Sequence, residues 1–413
     1  MNKMVFFIRK SKNKLSLILL VIVLGLITFG CSGQAWQGWS GFAAYDGILY
    51  FGTMDGRVFA IDPSARNQGL HFPSEGEWVI PVRAPAATGG MCGPIGCAPA
   101  AQPATVYGTP VVAGNLVYVA TYAGDSGKVM AINRLAPGYD EEGIPAWNEG
   151  EWFYPRSESK FIGSVVGSLV MGEDTLYVCT SDGNVYALDA VNGEQKGEEF
   201  DTGGKIWTSP VFEDDVIYVS NYEKRLFALS GQDLSPVWPK PVELPAAAAS
   251  SPVVAGNDIF FGTFDNQLYA VDVTNGNVKW TFGGGNWFWA TPLVKDNIVY
   301  AGCLDSKVYA LDASTGHELW QFTADDQIIA TPVLVDNLLV AASASGTVYI
   351  LNADSGKPEH EPVSVGDSVK VPVRAPLCAE GNMVYVHASN RCVYALDVQI
   401  GDVVWNFPYS DIE

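Results

Sequence analysis

The segment 306–320, SKVYALDASTGHELW, recurs in near copies along the chain, and this recurrence limits the fold more than any other feature. Aligned on Val-Tyr-Ala-Leu-Asp, the copies fall at residues 58–62, 129–133, 185–189, 226–230, 268–272, 308–312, 348–352 and 393–397. Their last residues are spaced by 71, 56, 41, 42, 40, 40 and 45 positions. Each unit has the same internal order. A strand opens on Ser/Thr-Pro (Ser251-Pro252, Thr291-Pro292), and a polar turn such as Gly256-Asn257-Asp258 leads to a second apolar strand. A tight turn (Asp55-Gly56, Asp182-Gly183, Asp265-Asn266) precedes the Val-Tyr-Ala-Leu-Asp strand. A further turn (Asn275-Gly276, Thr315-Gly316, Ser355-Gly356) precedes a last strand that carries Trp280, Trp320 or Trp405. Asn/Asp-Gly pairs suit hairpin turns because those turns need positive φ.

The Val-Tyr-Ala-Leu-Asp strand is apolar at both parities, so both of its faces must be covered. One unit cannot cover itself. A period near 40 with four strands per unit predicts an all-β, eight-bladed β-propeller of four-stranded antiparallel blades, over residues 39–413. Forty-three glycines and 12 tryptophans suit so many tight turns and packed sheets.

The segment before the repeats reads as an export signal. Lys3, Arg9, Lys10, Lys12 and Lys14 precede an apolar run at 15–28, LSLILLVIVLGLIT, followed by Gly30-Cys31. The run is shorter than the ~20 residues of a spanning helix, so a signal peptide is expected at 1–30 and a tether at 31–38. The Gly-Cys end resembles the bacterial lipoprotein signal, which implies lipidation of Cys31; ordinary cleavage nearby and an uncleaved anchor stay open. The expected location is the extracytoplasmic face of a bacterial membrane, held by a lipid anchor. Residues 1–30 carry five basic and no acidic side chains, so their removal takes the formal charge from −21 to −26. Such a chain repels nucleic acid and anionic headgroups.

The longest interval holds an insertion at about 86–106, and a second lies at about 135–154. The first contains MCGPIGC, whose Cys92 and Cys97 are a disulfide candidate in an oxidising compartment. It is expected to overhang the ring, with Arg83 and Arg374 near its base. The second, with Asp140, Glu141, Glu142 and Glu151, is expected to be a solvated loop. Cys179 and Cys303 lie in apolar strands and are expected to be buried free thiols.

Repeated residues are structural, so function is sought where the copies differ. The position two before each Ser/Thr-Pro reads Trp39, Tyr107, Val165, Trp207, Ala249, Trp289, Ile329 and Val373, with Trp287 close by. These links lie on one face near the channel mouth. Their aromatics either form a rim for a peptide, sugar or flat ring, or wedge between blades. Other chemistry is weak. Gly124-Asp125-Ser126-Gly127 sits in a hairpin turn with no matching His and Asp. His71, His317, His360 and His387 show no metal spacing, and Asp325 and Asp326 read as solvated acids.

The pattern Tyr-Ala-Leu-Asp-x-x-Thr-Gly-x-x-x-Trp resembles the repeat of pyrroloquinoline-quinone-type propellers. Eight copies behind a lipoprotein-like leader are most similar to the propeller lipoprotein of the outer-membrane barrel-assembly machinery. That resemblance implies a monomeric, non-catalytic, membrane-tethered scaffold that binds protein partners in the cell envelope, without cofactor or metal. The same repeat occurs in quinone-dependent dehydrogenases, which would need pyrroloquinoline quinone and calcium, and in glycan or small-ligand sensors. Many of those dehydrogenases carry two adjacent bridged cysteines, and no two cysteines are adjacent here.

Overall fold

A computed structural model describes residues 40–82, 104–135, 151–156, 162–366, 371–410 and 412. The chain divides into units 1–38 and 39–413, and the first lies outside the described residues. The second contains eight four-stranded antiparallel sheets, each made of four consecutive strands. The eight-bladed propeller expected from the repeats is therefore what the chain forms. Blades 1 to 8 span residues 43–81, 111–154, 170–201, 211–243, 253–283, 293–323, 333–364 and 378–408.

Blade 5 shows the plan. Val253–Ala255, Asp258–Gly262, Gln267–Asp272 and Val278–Gly283 run from the innermost strand to the outermost. Leu268, Tyr269, Ala270 and Val271 of its third strand are all buried. Phe260, Leu268 and Ala270 pack against Val299, Ala301 and Leu311 of the next blade and against Phe288 on the link between them. Tyr269 and Val271 pack the other way, against Tyr218 and Leu226 of blade 4. Sandwiching between neighbours is what a strand apolar on both faces requires.

The outer tryptophans lock consecutive blades. The indole N–H groups of Trp78, Trp152, Trp238, Trp280 and Trp320 donate to the carbonyls of Arg134, Ala190, Val273, Ala313 and Ala353 at 2.8–3.0 Å. Each acceptor lies just past the third strand of the following blade. Gly316 has φ 72°, and a Cβ there would stand 2.6 Å from the Trp280 ring. Glycine thus serves both turn geometry and close approach. In blade 7 His360 takes the tryptophan's place, against Gly401.

A second set of contacts links inner strands of neighbouring blades and explains the hydroxyl of the Ser/Thr-Pro motif. The amide of Thr109 donates to the Ser168 hydroxyl (2.9 Å), Ser168 to Ser209 (2.7 Å), Ser209 to Ser251 (2.9 Å) and Thr291 to Thr331 (3.2 Å). Each hydroxyl satisfies an N–H of the preceding blade, and the inner strand begins two residues later, just after the proline where one is present. Blade 8 has Pro376 at this position, and there the Leu377 amide donates to the Thr331 carbonyl (3.1 Å).

The ring closes without exchanging a strand. Phe42, Leu49, Phe51, Phe59 and Ile61 of blade 1 bury against Tyr385, Val393, Phe407 and Tyr409 of blade 8. Arg57 donates to the carbonyls of Tyr409 (3.3 Å) and Ile412, tying the C-terminal residues across the seam.

Three boundaries differ from expectation. Trp152–Tyr154, within the segment read as a solvated loop, is the outer strand of blade 2, and Trp152 is buried. The Glu151 carboxylate there accepts from the Asn133 amide at 2.7 Å. Residues 104–106, assigned to the first insertion, belong to the link between blades: Thr105 bridges to Tyr122 and Val106 is buried. In blade 1 a short helix, Pro63–Asn67, replaces the usual turn, its N-terminus capped by the Asp62 carboxylate, which accepts from the Ser64 amide (2.8 Å).

Candidate functional site

Antiparallel order places two kinds of connection on one face: the link from each outer strand to the next inner strand, and the turn between second and third strands. Backbone hydrogen bonds join them in blades 2 to 8. Tyr122 donates to Thr105, Ser181 to Ser164, Tyr222 to Lys205, Phe264 to Ala247, Leu304 to Trp287, Ala344 to Gln327 and Ser389 to Pro372, at 2.7–3.0 Å. Side chains of link and turn therefore meet pairwise around the mouth.

Counting four residues back from each inner strand, the link position is Tyr107, Val166, Trp207, Ala249, Trp289, Ile329 and Arg374 in blades 2 to 8. This corrects two of the positions expected above. Val165 and Val373 are 1% and 0% exposed and pack beneath the ring, while Val166 and Arg374 occupy the rim. The shift arises where blade 3 lacks the proline used for alignment and blade 8 has Ala-Pro. Trp39, Arg83, Cys92 and Cys97 lie outside the described residues, as does Cys31.

The turn position reads Met54, Tyr122, Ser181, Tyr222, Phe264, Leu304, Ala344 and Ser389, and the sequence reading missed it. Aligning the turns as closely as the links would have found it. Both sets together make a continuous aromatic arc over blades 4 to 6. Trp207 meets Tyr222 (centroids 4.5 Å), Tyr222 meets Phe264 (5.9 Å), and Phe264 meets Trp287 (5.0 Å) and Trp289 (6.0 Å). Trp207 and Tyr222 are 45% and 38% exposed, so at this end the aromatics form a rim rather than wedges. Tyr107 and Tyr122 make a separate edge-to-face pair at 5.2 Å in blade 2.

The ends of the arc differ in charge. Lys205 and Lys224 are exposed beside Trp207 and Tyr222, with Glu223 between them in sequence. Beyond Trp287 and Trp289 stand Asp305, Asp325 and Asp326. Asp305 accepts from the Tyr309 hydroxyl (2.6 Å) and the Gly285 amide (2.8 Å). Asp325 accepts from Ser345 (2.6 Å) and Thr347 (2.9 Å). Burial would raise its pKa, but the hydroxyls of Ser345, Ser343, Thr347 and Tyr349 outweigh this and hold it at about 2. It remains a carboxylate under any physiological condition.

Other candidate chemistry does not assemble. Among the described residues no three His, Cys, Asp or Glu side chains gather as metal ligands. Ser126 donates to the Ala123 carbonyl within its own hairpin. Cys179, Cys303 and Cys378 are free thiols, and burial pushes the Cys303 thiol up to about 12 and Cys378 to about 11. His387 is buried at the seam between blades 8 and 1. Its ring nitrogens meet the Ser40 carbonyl (2.9 Å) and the Tyr409 hydroxyl (2.5 Å).

Comparison with known proteins bears on this arrangement. A family model described as "Outer membrane protein assembly factor BamB" matches residues 32–281 and 285–411. The curated outer membrane protein assembly factor BamB of Pseudomonas aeruginosa is 25% identical over 170 residues. That match covers 41% of this chain and 41% of the relative, so the chain spans about two-fifths of the curated protein it matches. Among solved structures, BamB from Moraxella catarrhalis superposes with TM-score 0.59 at 17% identity, covering 84% of this chain and 90% of that one. The computationally designed Ika8 protein superposes with TM-score 0.63 at 16% identity, covering 89% and 95%. At such identities both likenesses speak for the fold alone.

Proposed function

Because this chain belongs to the family of the outer membrane protein assembly factor BamB, we propose that it is a non-catalytic, exported propeller, tethered by its N-terminus, that binds protein partners of the cell envelope through one face. The observation that carries this reading is the aromatic arc. Contiguous exposed apolar surface is costly to leave in water and marks interaction sites, and binding hot spots are enriched in Trp and Tyr. Those of the arc lie on links and turns, where the repeats diverge. Lipidation of Cys31 and a disulfide between Cys92 and Cys97 remain part of the proposal, as do a monomeric ring and the absence of a cofactor.

The test is photocrosslinking in native membranes. A crosslinking residue at position 207 is expected to capture an envelope protein. The same residue at position 191, where Val191 is 71% exposed on a turn of the opposite face, is expected to capture little. Equal yields from both faces, or no protein adduct at 207, would overturn the reading. A thermal shift with pyrroloquinoline quinone and calcium would favour a quinoprotein instead.

A further inference from the structure

The arc is asymmetric in a way that narrows what it can hold. We propose that it receives an extended peptide segment of its partner, apolar in the middle, acidic over blade 4 and basic over blades 6 and 7. This rests on the reading of the ring as a protein-binding scaffold. Three observations argue it. The aromatic path steps 4.5, 5.9 and 5.0 Å from Trp207 through Tyr222 and Phe264 to Trp287. That length matches roughly four or five residues of extended chain at ~3.3 Å each. At the Trp207 end, exposed Lys205 and Lys224 outnumber Glu223 in a protein whose formal charge is −21. At the far end Asp305, Asp325 and Asp326 present carboxylates. A segment whose charges oppose these ends is guided into one orientation, and one with uniform charge is repelled at one end.

The alternatives fit less well. An anionic bilayer would press its headgroups against Asp265, Asp305, Asp325 and Asp326 on the same face. A neutral glycan would gain stacking on the aromatics but nothing from the difference in charge between the ends.

The experiment uses the full-length chain in detergent and labelled nine-residue peptides, read by fluorescence polarisation. The bipolar peptide EEFTYTFKK is expected to bind at least tenfold more tightly than EEFTYTFEE or KKFTYTFKK, and to weaken as salt rises. Lys205→Glu with Lys224→Glu is expected to transfer the preference to KKFTYTFKK. Trp207→Ala and Tyr222→Ala are each expected to weaken binding at least tenfold while shifting the melting temperature by no more than a few degrees, since both rings stand at the surface. Equal affinity for all three peptides, an unchanged preference after charge reversal, or stronger binding to anionic vesicles or glycans than to the bipolar peptide would overturn the proposal. If position 207 crosslinks to an envelope protein yet the peptides are not distinguished, the scaffold reading stands and the peptide reading alone falls.

Discussion

A tryptophan such as Trp320 performs two tasks at once: it covers the glycine turn of the next blade and donates to the Ala353 carbonyl at 2.9 Å. Trp320→Ala is expected to destabilise the ring by about 3–5 kcal/mol, the usual cost of deleting a packed aromatic. Trp320→Phe should cost less, since most of the packing stays; urea denaturation of the three proteins measures both. His387 offers a test against pH. The Ser40 carbonyl can only accept, so Nδ1 carries the hydrogen and the Tyr409 hydroxyl donates to Nε2. Burial lowers the pKa of this ring from 6.5 to about 4. The unfolded chain therefore binds the proton first. Stability from the neutral ring is fully present above pH 6.5, declines as pH falls below that, and is gone below about 4. Burial would raise Asp55 at the same seam, but the Arg57 guanidinium and the Thr53 hydroxyl outweigh it and hold the carboxyl below its ordinary value, and burial pushes the Tyr409 hydroxyl up, so neither titrates in that window. His387→Gln is expected to flatten the stability profile between pH 6.5 and 4, measured by thermal melts in a pH series. The sequence marks His387 only as one of four scattered histidines; its burial comes from the meeting of the first and last blades.

At the scale of the element, the Ser/Thr-Pro motif reads from sequence as the start of a strand. The structure adds the reason for the hydroxyl, which accepts an N–H from the blade before. Ser209→Ala leaves the Ser168 amide without that acceptor and is expected to cost about 1 kcal/mol. Faster hydrogen exchange at the Ser168 amide, with little change at remote blades, is the measurement. The outer strands vary for a reason legible in part. Blades 5 and 6 have outer strands of 6 residues and blade 8 one of 7, whereas that of blade 4 has only 2. In blade 4 Pro236, Pro239 and Pro241 interrupt the ladder, and with Phe200, Phe227 and Trp238 they line a cavity of about 100 Å³. Prolines cannot donate to a ladder, so the shortening is written in the sequence; the cavity is not, because it depends on how blade 3 meets blade 4.

For the whole molecule, closure is the decisive event. Among the described residues no strand crosses the seam, and side chains bridge it: the aromatic cluster of blades 1 and 8, the Arg57 bonds to the C-terminal residues, and His387 against the Ser40 carbonyl. A chain ending at residue 366 would lack blade 8 and leave Phe42, Leu49, Phe51 and Phe59 without cover. Such a truncation is expected to aggregate or bind a hydrophobic dye strongly, read by size-exclusion chromatography and dye fluorescence. A soluble, compact seven-bladed monomer would show that closure matters less than this.

Fold type, blade number and strand order followed from the period and from apolar residues at both parities, because those patterns depend only on neighbours along the chain. Trp207, Trp287 and Trp289 could be singled out on the same ground, as departures from a repeat. The contacts that join Trp207, Trp287 and Trp289 to Tyr222 and Phe264, and the burial of His387, were decided only when the sheets closed into a circle. Each depends on residues tens to hundreds of positions apart being brought within a few ångströms, and no local pattern encodes that distance.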